Sequence, residues 1–403
     1  MSGQPFDGVV VIDLSQIYNG PYATFLMAAA GAHVIKVEPP SGEPLRRRSV
    51  VGGAALPFAM LNGCKQSIVL DLKSEEGKAA LRGLASDADV LVENYAPGTM
   101  ARLGLGHEAL QTLNPRLIYA SSTGFGSDGP YRDYPAMDLT IQAMSGVMST
   151  TGFPDRPPVK AGPALCDFFA GVHLYGAIAT ALFERQRTSI ARRVEVSMQD
   201  AVYASLSSSL GMHWGNAGNP DAPPPRTGNR HGGMAEAPYN VYPARDGWIA
   251  IICVGDAHWR CFCEAMGQPE LASNPAFLTL KDRVAAIDAV DAVVSAWTRD
   301  RSKQDVFEIL MRHKVPCAPV RDLDEVMNDP NMHARGSLQW QNHPALGRIV
   351  VPHSPLRFAG VPLAPLLPSR ELGADTRQVL RERLGWDEAR VAQMANGAAG
   401  QGT

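Results

Sequence analysis

VVVIDLSQIYNGPYATFLMAAAGAHVIKVE, residues 9–38, holds the pattern that decides the fold. Its first six residues are apolar except Asp13, as in a strand covered on both faces. Residues 22–31 are small and apolar and read as a helix. Residues 32–38 (AHVIKVE) read as a second strand, giving a strand-helix-strand unit. The pattern recurs with strands at 68–72, 90–95, 117–121 and 193–197. Between them lies a helix at 75–86, which Ser74 opens as a cap with Glu75 and Glu76 in its first turn. Helices are also expected at 137–149, 168–186 and 199–214. Repeated strand-helix alternation with buried strands predicts an α/β fold, a Rossmann-like parallel sheet covered by helices.

Residues 215–237 break the pattern with glycine, proline and asparagine and read as a linker or functional loop. Beyond them, 239–254 reads as a hairpin turning at Arg245-Asp246-Gly247, followed by helices near 256–266, 279–298 and 303–313. A Pro-rich stretch from about 320 leads to a last helix at 374–384. The expected organisation is a discontinuous large domain, 1–214 and 335–403, with a smaller α+β domain at 225–320.

The 403 residues are 45% hydrophobic and 19% charged, ordinary globular usage. Lys+Arg 37 against Asp+Glu 40 gives a net charge of −3 with no basic block, which argues against a nucleic-acid partner. The apolar stretch 22–35 is too short to span a bilayer, and the first residues lack a signal-peptide pattern. Six scattered cysteines form no disulfide framework and suit a reducing compartment. The expectation is a cytoplasmic enzyme without a membrane partner.

Few motifs carry chemistry on their own. Gly124-Phe-Gly-Ser-Asp-Gly129 fits G-x-G-x-x-G after a strand, but Pro130 and Pro135 follow where a dinucleotide site needs a helix start. It reads as a structural turn, and no nicotinamide or flavin cofactor is expected. No P-loop motif occurs. Cys261 and Cys263 point to different helix faces and, with His258, do not complete a ligand set, so no metal is expected. Cys166 has no assignable base and reads as an inert thiol. Asp167 stands at the entrance of a long apolar helix. It serves there either as a dipole-stabilised acid of the first turn or as a carboxylate nucleophile, with Gly171 allowing a bulky ligand to approach.

Segments 11–42, 61–78, 89–104, 114–130, 136–152, 157–171 and 194–202 together resemble the class III CoA-transferase family, the CaiB/BaiF type that includes formyl-CoA transferases. Weaker matches run through GNRH, the hairpin, VPCAPV and DPNMHARG to about residue 365. The resemblance implies that Asp167 is the nucleophile and that coenzyme A enters as an acyl-CoA substrate, with a free carboxylic acid as the second partner. It carries CoA contacts onto Gln16, Tyr18, Asn19, Leu72, Lys73, Asn94, Tyr95, Arg102, Met137 and Asp138. Tyr18 stands where some relatives have Gln, Pro39 where some have Arg, and Met137-Asp138 where transferases often have Tyr and an acid. Gly232 and Gly233 fall where relatives carry a mobile Gly-rich loop over the substrate. An interlocked homodimer is implied as well, each chain an open ring closed by linkers near 200–230 and 320–340. An acyl-CoA racemase or epimerase of the same fold is the alternative. It needs a proton-exchanging His where this chain has Met137. An intramolecular transfer within one diacid is the other.

Overall fold

The computed structural model describes residues 3–47, 55–222 and 225–392 of the chain. The chain divides into two compact units, the first made of Met1–Ile141, Pro163–Val202 and Met327–Thr403, the second of Gln142–Gly162 and Tyr203–Val326. Residues 142–162 and 203–214, which the sequence reading gave to the first domain, therefore cluster with the second unit. The tail 393–403, expected to return to the large domain, lies outside the described residues.

The first unit is built on six parallel strands, β1 (Val10–Asp13), β2 (His33–Glu38), β3 (Gln66–Val69), β4 (Val90–Glu93), β5 (Ile118–Thr123) and β6 (Arg193–Ser197). Their order is β3-β2-β1-β4-β5-β6, and Ile12 registers with Ile35 on one side and Leu91 on the other. Chain direction across the sheet reverses between β1 and β4, the crevice where doubly wound sheets bind ligands beyond their carboxyl ends. Side chains alternate between faces, so two cores form. Ile12, Ile35, Leu91 and Tyr119 pack with Leu81 and Leu84 on one face. Val11, Val34, Val92 and Ala120 pack with Met27, Leu174 and Ile178 on the other.

Helices α1 (Asn19–Ala28), α2 (Pro44–Arg47), α3 (Ala55–Asn62), α4 (Glu75–Ala85), α5 (Thr99–Arg102) and α6 (His107–Leu113) connect the strands. Ser74 caps α4 by accepting from the Gly77 amide at 3.0 Å. The helix expected at 137–149 is two, α7 (Asp138–Met144) and α8 (Val147–Thr150), because Gly146 takes a φ of 94° and stops the first. α9 (Leu165–Thr188) is longer than the sequence pattern suggested. By length and composition it could cross a membrane; 44% of its most apolar stretch is buried, and one face packs on α1. An added Cβ at Gly171 would stand 2.6 Å from the Asn19 carbonyl, so glycine permits that close crossing.

The final segment completes the first unit. Ser67 N of edge strand β3 donates to Asp375 Oδ2 at 2.8 Å and Val69 N to Thr376 Oγ1 at 3.0 Å. Helix Thr376–Leu384 then adds Val379 and Leu380 to the core.

The second unit holds an antiparallel sheet of β7 (Tyr239–Ala244), β8 (Gly247–Ile252) and β9 (Cys317–Pro319), the first two forming the expected hairpin. Helices Asp256–Met266, Ile287–Thr298 and Lys303–Arg312 bury Trp259, Phe262, Val290 and Leu310 against it. A hairpin of β10 (Leu338–His343) and β11 (Gly347–Pro352), in the first unit, lies within the stretch read only as Pro-rich.

Candidate active site

Asp167 is the third residue of α9 and is 8% exposed. Burial, and then the negative charge of Asp138, push its carboxyl up to about 7. The helix N-terminus favours the anion, but that influence is the smaller here. No donor among the described residues offsets the burial. Asp138 itself accepts from the Cys166 amide at 2.9 Å, tying the start of α7 to the start of α9. Cys166 is fully buried and its thiol is pushed up to about 12 by burial and the two aspartates, so it does not supply a thiolate.

Asp167 forms part of the wall of a cleft of about 500 Å³ at the carboxyl ends of the strands. Gln16, Asn19, Asn94, Tyr95, Arg102 and Met137 line the same cleft, so seven residues expected from sequence meet there. Tyr18 does not line it, its ring stacked 5.9 Å from that of Phe168. Leu72 packs partly on the core, and Lys73 is exposed, its amide bonded to Asp71 Oδ1 at 2.9 Å; neither lines this cleft. Gly232 and Gly233 belong to the second unit, Gly233 N donating to His231 Nδ1 at 3.1 Å.

Side chains hold five backbone polar groups of the loop after β1, the N–H and C=O of Ser15 and of Gln16 and the N–H of Ile17. Asn94 Oδ1 accepts from Gln16 N at 2.9 Å, while its Nδ2 donates to Gln16 O at 2.8 Å and Asn19 Oδ1 at 2.7 Å. Glu43 Oε2 accepts from Ile17 N at 3.1 Å, and Ile17 holds a φ of 68°, a strained value for a β-branched residue. Lys36 Nζ donates to the Ser15 carbonyl and lies 3.8 Å from Glu43. Beneath it Asp13, fully buried, accepts from Ser15 N at 2.9 Å and meets Lys65 Nζ at 3.0 Å. Burial alone would raise the Asp13 carboxyl, but Lys36 and Lys65 hold it well below the usual range. Lys65 is lowered to about 8 by the same burial, against the pull of Asp13. A buried ion cluster thus shapes the loop that carries Gln16 and Asn19.

Other parts of the site were not singled out from sequence. Ser122, 1% exposed, lines the cleft with its hydroxyl unpartnered. Arg132 adds a cation from the YRDY loop, where the charge was visible but its direction was not. Gly124–Gly129 forms part of the neighbouring loop, with Gly126 at a φ of 96°, and runs through turns rather than into a helix.

Residues 6–376 match the model of CoA-transferase family III. The chain is 40% identical over 359 residues to an acetyl-CoA:oxalate CoA-transferase of Acetobacter aceti, covering 88% of this chain and 90% of that one. It is 35% identical over 390 residues to a succinate–glutarate CoA-transferase of Agrobacterium fabrum, covering 94% and 95%. A succinyl-CoA–D-citramalate CoA-transferase of Chloroflexus aurantiacus is 33% identical over 395 residues, 97% of each chain. Among solved structures, a CaiB/BaiF family protein from Brucella suis superposes with a TM-score of 0.82 at 32% identity, covering 95% of this chain and all of that one.

Proposed function

The chain belongs to CoA-transferase family III and is a CoA-transferase; from that premise we propose that it moves CoA from an acyl-CoA thioester to a free carboxylic acid, with Asp167 as the nucleophile. The observation that supports this most is the placement of Asp167. It is a buried carboxylate without a hydrogen-bond donor among the described residues, raised to about 7 by burial and by Asp138, and it faces a ligand-sized cleft.

Asp167 Oδ attacks the thioester carbonyl, the C–S bond breaks, and CoA leaves as thiolate with an aspartyl-acyl anhydride behind. The thiolate then attacks the aspartyl carbonyl of the anhydride. The C–O bond to the donor acid breaks, giving free carboxylate and an aspartyl-CoA thioester. The acceptor carboxylate attacks that thioester and expels CoA thiolate, and the thiolate attacks the acceptor's acyl carbonyl, restoring Asp167. No proton is gained or lost overall. A carboxyl raised to about 7 gives an anion more basic, and so more nucleophilic, than that of an ordinary aspartate. The oxygen that becomes negative at each tetrahedral step develops near the start of α9.

The relatives are named for oxalate, succinate, glutarate and citramalate. Arg102 and Arg132 on the cleft wall suit such small acids with a second anionic group. Met137 lines the cleft and has no exchangeable proton, so racemisation has no second base there. The exposed apolar row Phe169, Val172 and Phe183 along α9 supports a homodimer, and we extend the proposal to the interlocked form.

Incubation with acyl-CoA followed by hydroxylamine should convert Asp167 to a hydroxamate, seen as a mass change on its peptide. Asp167→Asn should lose turnover by several orders of magnitude. Label on Asp138 instead, or an active Asn variant, would overturn the assignment.

A further inference from the structure

A second cleft, of about 420 Å³, lies over β4, β5 and β6 and shares Tyr95, Ala96, Pro97, Thr123 and Arg132 with the wall of the Asp167 cleft. Its floor is polar by construction. Glu93, Ser121 and Glu195 are register partners across the three strands, and Tyr119 pairs in the same way with Arg193. Because residues two apart share a face, Tyr119, Ser121 and Thr123 all point to this side of β5.

The groups on that floor, and Glu195 beside it in the sheet, are unequally satisfied. Glu195 is taken by the Ser127 amide and hydroxyl and by Arg193 at 3.4 Å. Glu93, 8% exposed, accepts from Tyr95 N at 2.8 Å and only distantly from the Tyr119 hydroxyl at 3.4 Å. Burial raises its carboxyl to about 7, so it can donate as well as accept near neutral pH. Ser121, 3% exposed, has a buried hydroxyl without a partner, and the buried His107 Nε2 has none either. Two unpartnered polar groups on one cavity wall are costly unless something occupies the cavity. At the rim stand Arg193 and Arg132, with side chains 44% and 48% exposed.

We propose that this cleft is a second binding site, for a small hydroxy- or dicarboxylic acid free of CoA. One carboxylate would meet the two arginines, while its hydroxyl or second carboxyl meets Ser121, His107 and Glu93. The guanidinium pair disfavours a cation. The polar floor disfavours an apolar acyl chain, and Tyr119, 4% exposed, offers no open ring face for a base. The shared segment 95–97 places such an acid one wall away from Asp167. The inference rests on the CoA-transfer reading, since a free acid is both its second substrate and its first product.

Titration calorimetry of the full-length enzyme without CoA tests it, with malate as the probe. Wild type and Asp167→Asn should share a malate-binding event that Arg193→Ala and Ser121→Ala each weaken about tenfold or more and that Arg102→Ala, in the Asp167 cleft alone, leaves in place. Arg193→Ala should melt with the wild type, since that side chain is half exposed. No binding at millimolar malate, or binding lost in Asp167→Asn and kept in Arg193→Ala, overturns the second site. Inorganic phosphate binding as tightly with the same sensitivities overturns the carboxylate assignment. Malate binding by an enzyme that transfers no CoA would fail the transfer reading and leave the site standing; transfer without such binding would do the reverse.

Discussion

Asp167 is subject to opposed electrostatic influences, and their balance fixes a pH dependence. Its carboxyl titrates near an ordinary 3.8 when the chain is unfolded and about 7 when folded. The native state therefore holds that proton more tightly, and stability falls as pH rises from about 4 through 7. Asp167→Asn is neutral throughout and lacks this slope. It should be more stable than wild type at pH 8, by at most about 4 kcal/mol, with the gap closing toward pH 4, as urea unfolding at several pH values would read. Catalysis runs the other way. Because the anion attacks, kcat/KM should rise with pH to a plateau above an apparent value near 7, and a profile flat from pH 5 to 8 would contradict the buried carboxyl. Asp167 was legible in the sequence through its place at the entrance of a long apolar helix and the family resemblance. The resemblance put Gln16, Asn19 and Asp138 at the same site, but the burial and the approach of Asp138 that raise the carboxyl exist only in three dimensions and were not legible.

The loop after β1 behaves as one element through its clamps. Asn94→Ala removes three hydrogen bonds to Gln16 and Asn19 and should cost about 1–3 kcal/mol in denaturant unfolding. It should also raise KM for the acyl-CoA and lower kcat, because two cleft residues lose their position. Unchanged kinetics with lowered stability would show that the clamp serves folding alone. At this scale the sequence is uneven evidence. The six strands of the parallel sheet were readable from β-branched runs separated by helical patterns, although β6 alternates exposed and half-buried residues where the other five are largely buried. Helix breaks were harder: apolar periodicity runs unbroken from 279 to 298, yet Ala286 ends one helix and begins the next without a capping side chain. The β10–β11 hairpin was missed because prolines around it mask the alternation of LQWQNH and GRIVVP.

The whole chain leaves the first unit twice, at Ile141 and Val202, and regains it at Pro163 and Met327. Composition marked the later excursion through the Pro/Gly-rich run at 215–237; the earlier one has its own Gly152, Pro154, Pro157 and Pro158, but that cluster is short and lies between two helices, so it read as a loop within one domain. Truncation after residue 365 would remove Asp375, Thr376, Val379 and Leu380 together. The shortened protein should lose cooperative melting of the first unit and become rapidly cleaved by protease, where a dispensable tail would leave both unchanged.

The seal that Asp375 and Thr376 place on β3 also sets a schedule for the newborn chain. β3 is complete once residue 69 has left the ribosome, yet the groups that satisfy its outward amides are made some three hundred residues later. Throughout synthesis that edge remains open to pairing with any neighbouring nascent chain. On a polysome, where identical chains emerge side by side, the open edge favours contact between sister copies before either has finished folding. The helix Thr376–Leu384 therefore acts as a timer as well as a cover: native closure of the sheet waits until that segment has been made.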